Sequence, residues 1–191
     1  MKIGCIIMAS GEGVRFGKNK LLEPLCSKPL IEWVTDVTEG LFERRVVVTR
    51  YKEIKEICEK KNIECILHSL PHRSDTVRIG LEAISDGIDG ALFFPADQPL
   101  LLKETLEKFL AASDCEHIIR LSFNGASSSP TLFPRKFFDE LSTLPEGKGG
   151  GYLIKKYPDS LLSVEADNAF ELFDVDTKED LEELNKYLNA K

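Results

Sequence analysis

No apolar stretch in this chain is long enough to cross a bilayer. The first one, Ile3 to Ala9, stops at a glycine loop, which predicts an initial strand rather than a secretory leader and so a cytoplasmic protein. Cysteine is present without a Cys-x-x-Cys pair: Cys5, Cys26, Cys58, Cys65 and Cys115 are scattered and odd in number, which argues against a secreted disulfide framework and for reduced, mostly packed thiols. His68, His72 and His117 show no metal-ligand spacing among themselves. Positive charge is in deficit, with 25 Lys and Arg against 32 Asp and Glu. A net charge of -7 excludes general nucleic-acid binding but leaves room for a local basic pocket holding a small anion. Linkers, repeats and low-complexity tracts are missing as well, so the 191 residues are expected to form one domain around one core.

What is present is concentrated in Cys5–Pro29, CIIMASGEGVRFGKNKLLEPLCSKP. A β-branched run breaks into Gly11, Gly13 and Gly17 and is followed by Lys20. Glycines after a strand bring bare N–H groups against a ligand, and basic side chains add charge against phosphate oxygens. The spacing is not G-x-G-x-x-G, and Gly17-Lys18 is followed by Asn19 where a Walker loop has Ser or Thr, so neither common phosphate loop is present.

Through the first two thirds of the chain, strand-length apolar runs alternate with helical periodicity, the pattern of strand-helix-strand units in a mostly parallel sheet. Strands are expected at Lys2–Ala9, Arg45–Thr49, Glu64–His68, Gly90–Pro95 and His117–Leu121. The helices between them are Pro29–Phe42, Lys52–Lys61, Asp75–Ser85 and Leu102–Ala112. Beyond Leu121 the rhythm changes to polar Asn124–Ser129, Pro130–Pro134, a helix Lys136–Leu141 and a glycine-rich turn Gly147–Gly151, expected to be mobile. Late strands Leu161–Glu165 and Phe170–Asp174 follow, then a helix Thr177–Leu188 capped by Asp176 or Thr177. Residues 1–121 read as a nucleotide-binding half and 122–191 as an acceptor-binding half of one sheet.

In such a sheet ligands bind beyond the carboxyl ends of the strands, where Ser10–Lys20, Ser69–Gly80 and Ala96–Pro99 converge. Asp97 follows the buried run Ala91-Leu92-Phe93-Phe94-Pro95. A lone aspartate there is often a turn or cap residue. Beside a polyphosphate, however, a carboxylate repels the ligand unless Mg²⁺ lies between them, and Mg²⁺ is usually held by one or two carboxylates plus phosphate oxygens.

These motifs resemble those of nucleotidyltransferases that make nucleoside-diphosphate derivatives, and most of all the molybdenum cofactor cytidylyltransferases. The likeness rests on Gly11, Gly13, Arg15, Gly17, Lys20-Leu21-Leu22 and Lys28-Pro29-Leu30 in the opening motif. It continues in Ala96-Asp97-Gln98-Pro99-Leu100, similar to a G-D-Q-P-L segment, and in Ser74-Asp75-Thr76-Val77-Arg78-Ile79-Gly80, similar to S-S-S-L-R-x-G. Asp174-Val175-Asp176-Thr177-Lys178-Glu179-Asp180 resembles the D-I-D-T-P-E-D ending.

The resemblance implies a Rossmann-like three-layer α/β/α fold with a mostly parallel mixed sheet. It implies transfer of CMP from CTP to the phosphate of molybdopterin with release of pyrophosphate, and a molybdoenzyme as recipient of the product. Ala9, Ser10, Gly11, Glu12 and Gly13 would line the nucleotide, with Ser74 and Arg78 near base and ribose, although Ser74 reads equally as a helix cap. Arg15, Lys20 and Asp97 would be catalytic, the two cations neutralising charge on the triphosphate and Asp97 holding Mg²⁺. Asp174 and Asp176 are the further candidate metal ligands, or else a helix N-cap pair. Lys18 and Lys28 read as solvated charges, and Trp33 as core.

The acceptor end departs from the family. Many relatives carry G-H-P and G-D-K-G-x-R, where this chain has Ser128-Ser129-Pro130 and Glu146-Gly147-Lys148-Gly149-Gly150-Gly151. A histidine, an aspartate and an arginine are missing, each worth on the order of 1–3 kcal/mol if it grips a buried polar acceptor. Two further readings therefore stand beside the first: a cytidylyltransferase for an isoprenoid-precursor or sugar phosphate, and a non-catalytic cofactor-binding protein of the same fold.

Overall fold

The computed structural model describes the chain except Glu12, Val14, Arg15 and Lys191. The elements, in order, are β1 (Ile3–Ala9), a two-rung hairpin β2 (Pro24–Leu25) and β3 (Lys28–Pro29), α1 (Leu30–Val37), β4 (Arg44–Thr49), α2 (Lys52–Lys60), β5 (Glu64–Leu67) and α3 (Arg73–Ile84). They continue as β6 (Gly90–Pro95), α4 (Lys103–Ala111), β7 (Ile118–Phe123), β8 (Ala126–Pro134), α5 (Phe138–Ser142), α6 (Gly151–Lys156), β9 (Leu161–Glu165) and α7 (Lys178–Asn189).

Among the described residues a seven-stranded sheet runs β5-β4-β1-β6-β8-β7-β9. All neighbours pair in parallel except β8, which is antiparallel to both β6 and β7. The central strands are buried on both faces, which is why β1 and β4 read as nearly unbroken apolar runs. On one face Ile31, Val34, Ile54, Cys58, Leu106 and Phe109 pack α1, α2 and α4 onto Ile7, Val47 and Phe94. On the other, Val77, Leu81, Ile84, Phe138, Leu141 and Leu153 pack α3, α5 and α6 onto Ile6, Val48 and Phe93. The fold is the three-layer, mostly parallel α/β/α arrangement expected from the sequence. A third cluster, with Leu25, Leu30, Leu100, Val175 and Leu184, ties α7 to the hairpin and to the turn after β6. Trp33 packs against that cluster and is only partly buried.

Several boundaries differ from expectation for identifiable reasons. Phe170–Asp174 is not a strand: Ala169–Leu172 is a 3₁₀ turn, in which Asn168 Oδ1 accepts from Phe170 N and the buried Glu171 carboxylate accepts from Asp167 N and Asn168 N. That local capping satisfies the backbone before a ladder can. Conversely, the polar and proline-rich Ala126–Pro134 is a full strand. Its register breaks between Arg120↔Thr131 and Leu121↔Ser128, leaving Ser129 and Pro130 without rungs, so the proline has no ladder hydrogen bond to forfeit. The β7–β8 turn is Asn124-Gly125 with φ of 50° and 78°, the left-handed pair that a tight hairpin demands. At Gly149-Gly150 the glycines serve close approach: a Cβ at Gly150 would stand 2.7 Å from the Phe133 ring, and one at Gly149 would stand 3.0 Å from Arg73 Cδ. All five cysteines are free thiols, but Cys26 and Cys115 are exposed rather than packed.

Gly80, the last residue of the Ser74–Gly80 motif, is where α3 crosses β1. A Cβ there would overlap Ile6 and crowd Val48. Gly80→Ala is expected to destabilise the protein by about 1–3 kcal/mol through overpacking, read as a lower urea midpoint with an unchanged slope.

Candidate active site

The carboxyl ends of β1, β4 and β6 open into a cavity of about 310 Å³ whose wall includes Ser10, Gly11, Lys20, Arg50, His72, Arg73, Thr76 and Asp97. The glycine loop forms one side. Gly13, at φ +57°, accepts from Phe16 N at 2.8 Å and Gly17 N at 3.1 Å, and a Cβ on it would meet Lys18 O at 2.7 Å, so this corner needs a glycine. Glu12 and Arg15, expected in the nucleotide site, lie outside the described residues.

Three side chains fasten the start of the loop. Tyr51 OH donates to Gly11 O at 2.7 Å and Arg50 Nε to Ser10 O at 3.0 Å. The Ser10 hydroxyl donates to Val48 O at 3.1 Å, which leaves its oxygen to accept from His68 Nε2 at 2.8 Å. Burial, then the Arg50 cation, hold the His68 imidazole below its ordinary pKa, so it is neutral at pH 7, and its buried Nδ1 has no partner. Ala9, fully buried, ends β1 beneath this network.

Lys20 sits at the centre. Asn19 caps the 3₁₀ turn Lys20–Leu22 by accepting from Leu21 N, and Leu21 is buried, so Lys20 is held at the cavity wall. Its Nζ lies 2.8 Å from Asp97 Oδ2 and 2.9 Å from Asp176 Oδ1. Only 11% of the lysine side chain is exposed, against 26% for Asp97 and 46% for Asp176, so the pair with Asp97 is the better shielded. Burial alone would push the ammonium's pKa down, but the two carboxylates outweigh it and raise the value above the usual lysine range.

The second acidic segment is docked by its backbone, with Val175 N donating to Asp97 O at 2.9 Å while the buried Val175 side chain anchors the turn in the third cluster. Thr177, not Asp176, caps α7, in a capping box with Asp180. The Asp176 carboxylate is thereby released for Lys20. Asp174 stands beside the same group. Partial burial, then the like charges of Asp97 and Asp176, raise its carboxyl to about 6, opposed by a hydrogen bond from Gln98. The residue is nonetheless exposed at the surface, so water tempers the effect. Gln98 is itself buried, donates to Ser128 Oγ at 3.2 Å and leaves its own Oε1 unpaired.

Three carboxylates around one ammonium leave an excess of negative charge, and carboxylate oxygens are the hard donors that Mg²⁺ and Mn²⁺ select, so the residues fit a divalent cation. Among the described residues no group of three or more His, Cys, Asp or Glu could hold a metal ion by itself. Of the expected ligands Asp97, Asp174 and Asp176, the first and last are drawn to the Lys20 ammonium, which lies between them.

The α3 motif contributes differently from expectation. Thr76, His72 and Arg73 line the cavity, whereas Ser74 and Arg78 do not. Ser74 Oγ accepts from Gly147 N at 3.3 Å, tying the glycine-rich turn to α3, and His72 Nε2 meets Glu146 Oε1 at 2.8 Å. Arg78 is on the helix surface, 3.6 Å from Asp75. Lys18 pairs with Glu23, and Lys28 with Asp36 over the Trp33 ring. The contributions of Arg50, Tyr51, Arg73 and Gln98 were missed in the sequence. For Arg50 the signal was its position directly after β4, the same rule that singles out Asp97 after β6.

A carboxyl whose pKa is raised by folding binds more protons folded than unfolded, so ionising it costs stability as pH rises from about 4 through about 6. Asp174→Asn is therefore expected to raise the melting temperature of the metal-free protein at pH 7.5, with the gain vanishing by pH 4. Thermal melts at the two pH values check this, and an equal gain at both would remove the charge crowding.

A sequence profile of the MobA-like NTP transferase domain matches residues 5–161. Among curated proteins the chain is similar to the bifunctional protein GlmU of Pseudothermotoga lettingae, 27% identical over 140 residues that cover 69% of this chain and 30% of that one. It is also similar to the bifunctional enzyme IspD/IspF of Sphingopyxis alaskensis, 27% identical over 89% of this chain and 41% of the relative. The chain thus spans less than half the length of these curated relatives. Among solved structures, Rv0371c from Mycobacterium tuberculosis superposes with a TM-score of 0.87 at 20% identity, covering 97% of this chain and 99% of that one. The same protein has also been solved in complex with manganese. Molybdopterin-guanine dinucleotide biosynthesis protein A from Archaeoglobus fulgidus superposes at 0.74 and 19% identity, covering 98% and 100%. With the profile spanning most of the chain and the fold shared end to end with these structures, the protein belongs to the MobA-like NTP transferase family.

Proposed function

We propose that this chain is a divalent-cation-dependent nucleotidyltransferase that moves a nucleotidyl group, CMP from CTP by the motif resemblance, to the phosphate of a small-molecule acceptor of the molybdopterin type. The observation that supports it best is the Lys20 ammonium held between Asp97 and Asp176 on the wall of a cavity bounded by the glycine loop. A nucleoside triphosphate would fit this setting, with the backbone of Gly11 toward its phosphates and Ser10, Arg50 and Thr76 toward the rest of the nucleotide.

Asp97 and Asp176, with Asp174 beside them, would hold the cation, and when bound it supplies positive charge against the phosphate oxygens. The acceptor phosphate is already anionic at neutral pH, so the chain needs no general base. One of its oxygens forms a bond to the α-phosphorus as the bond from the α-phosphorus to the bridging oxygen breaks, and pyrophosphate departs with that electron pair. Lys20 contributes charge toward the α-phosphate and the leaving group. Without ligand, its ammonium offsets the carboxylates that the cation would otherwise neutralise.

A second reading is nucleotidyl transfer to an isoprenoid-precursor or sugar phosphate. The similarity to GlmU and to IspD/IspF favours it, as does Ser129 standing where molybdopterin-directed relatives carry a histidine. Incubation with each nucleoside triphosphate, Mg²⁺ or Mn²⁺, and molybdopterin or the competing phosphates, followed by mass analysis, separates the two. A cytidylylated molybdopterin is expected; a nucleotidyl sugar would move the assignment to the second reading. Lys20→Ala and Asp97→Ala are each expected to slow pyrophosphate release by at least about a hundredfold with circular dichroism unchanged. Undiminished release by the Asp97 variant would remove it from the cation site.

A further inference from the structure

Behind the nucleotide cavity, and sharing Met8, Arg73 and Pro95 with it, lies a second cavity of about 240 Å³ beneath α6. Arg120 of β7 lines it. Arg120 stands opposite Thr131, and Thr131 opposite Phe93, whose side chain belongs to the core under α3. This row places the guanidinium in the layer between the sheet and α3, α5 and α6.

Among the described residues no carboxylate pairs with Arg120, and its Nε is shut off from solvent without a hydrogen-bond partner. Burial lowers its pKa with no anion to oppose the shift. A guanidinium nonetheless stays charged in proteins, so this one is a half-buried cation with no carboxylate partner among the described residues. Such a group is costly unless something pairs with it. The register break beside Arg120, where Ser129 and Pro130 lose their rungs, is the kind of irregularity that re-aims a side chain next to a site. Arg73, at the start of α3, lines the same cavity, also without a carboxylate partner among the described residues, and is packed against Gly149. Ser129 and Thr131 add hydroxyls, and Phe133 and Tyr152 an apolar wall.

We infer that Arg73 and Arg120 form the seat for a phosphate monoester, the group by which the acceptor enters this second cavity and is presented across the shared wall to the nucleotide. The inference rests on the nucleotidyl-transfer reading for its purpose but not for its test. Two guanidiniums match the charge and the oxygens of a phosphate dianion. They supply positive charge from β7 and α3 to a cavity that the glycines Gly149 to Gly151 also line.

The test is calorimetric titration of inorganic phosphate into the full chain saturated with a non-hydrolysable CTP analogue, so that the triphosphate loop is already filled. Phosphate is expected to bind, and Arg120→Gln to weaken it at least roughly tenfold while changing the affinity for the CTP analogue by less than about twofold. Arg120→Met should keep the melting temperature, since it removes a half-buried charge whose Nε has no partner. Arg73→Gln, at an exposed position, should reproduce the loss of phosphate without risk to the fold. Phosphate binding that is absent in the parent protein, or equal in the parent and both arginine variants, would overturn the seat. Tighter binding of succinate than of phosphate would overturn its assignment to a phosphate. Arginine-dependent phosphate binding by a chain that binds no nucleoside triphosphate would leave the seat standing and sink the nucleotidyl-transfer reading instead.

Discussion

The site depends on one shared cation. Lys20 joins Asp97, 77 residues away, to Asp176, 156 residues away. No local preference could bring these three segments together. They meet because β1 and β6 are adjacent parallel strands whose carboxyl ends deliver the glycine loop and the Asp97 turn side by side. The backbone bond from Val175 to Asp97 then brings the last acidic segment to the same place. Parallel pairing places the charges, and the charges in turn close the loop against the sheet. The attraction is strengthened by the burial of the lysine and limited by Asp174, whose carboxyl is crowded by its two neighbours.

The two cavities differ in charge. The first offers glycine backbone, one ammonium and a group of carboxylates, a balance that suits a polyphosphate accompanied by a divalent cation. The second has arginine and hydroxyl groups with an aromatic wall, a balance that suits an anion carrying an organic group. Met8, Arg73 and Pro95 belong to both. The second cavity therefore adjoins the first through that common wall.

Much of this was legible in the sequence. Alternation of apolar runs with helical periodicity gives β1, β4 and β6 almost to the residue, because these strands are interior and their composition answers mainly to burial, and it also gives the edge strand β5. The sequence singles out Asp97 by its place just after β6 and Lys20 by its place after the glycine loop, and the structure brings the two within 2.8 Å. The second half was harder to read. In β8 the outward serines and Pro130 mask a strand, since the register break that accommodates the proline is a property of pairing and not of the strand itself. At Phe170–Asp174, apolar residues suggested a strand although Asn168 and Glu171 had already claimed the backbone donors. Arg120 reads as an ordinary strand residue until the sheet order shows what lies opposite it. Ser74 reads as a cap, yet its hydroxyl receives the glycine-rich turn instead.

The Asn124-Gly125 corner between β7 and β8 has a further consequence. β8 alone runs against the sheet, so this reversal lies at the same end as the strand termini that open into the first cavity. The corner is built from two left-handed residues outside the packed layers, and its length can change without shifting any rung below it. The fold therefore carries a rim that tolerates insertion: a longer hairpin tip would alter the surface at this end of the sheet while leaving the ammonium and its carboxylates untouched.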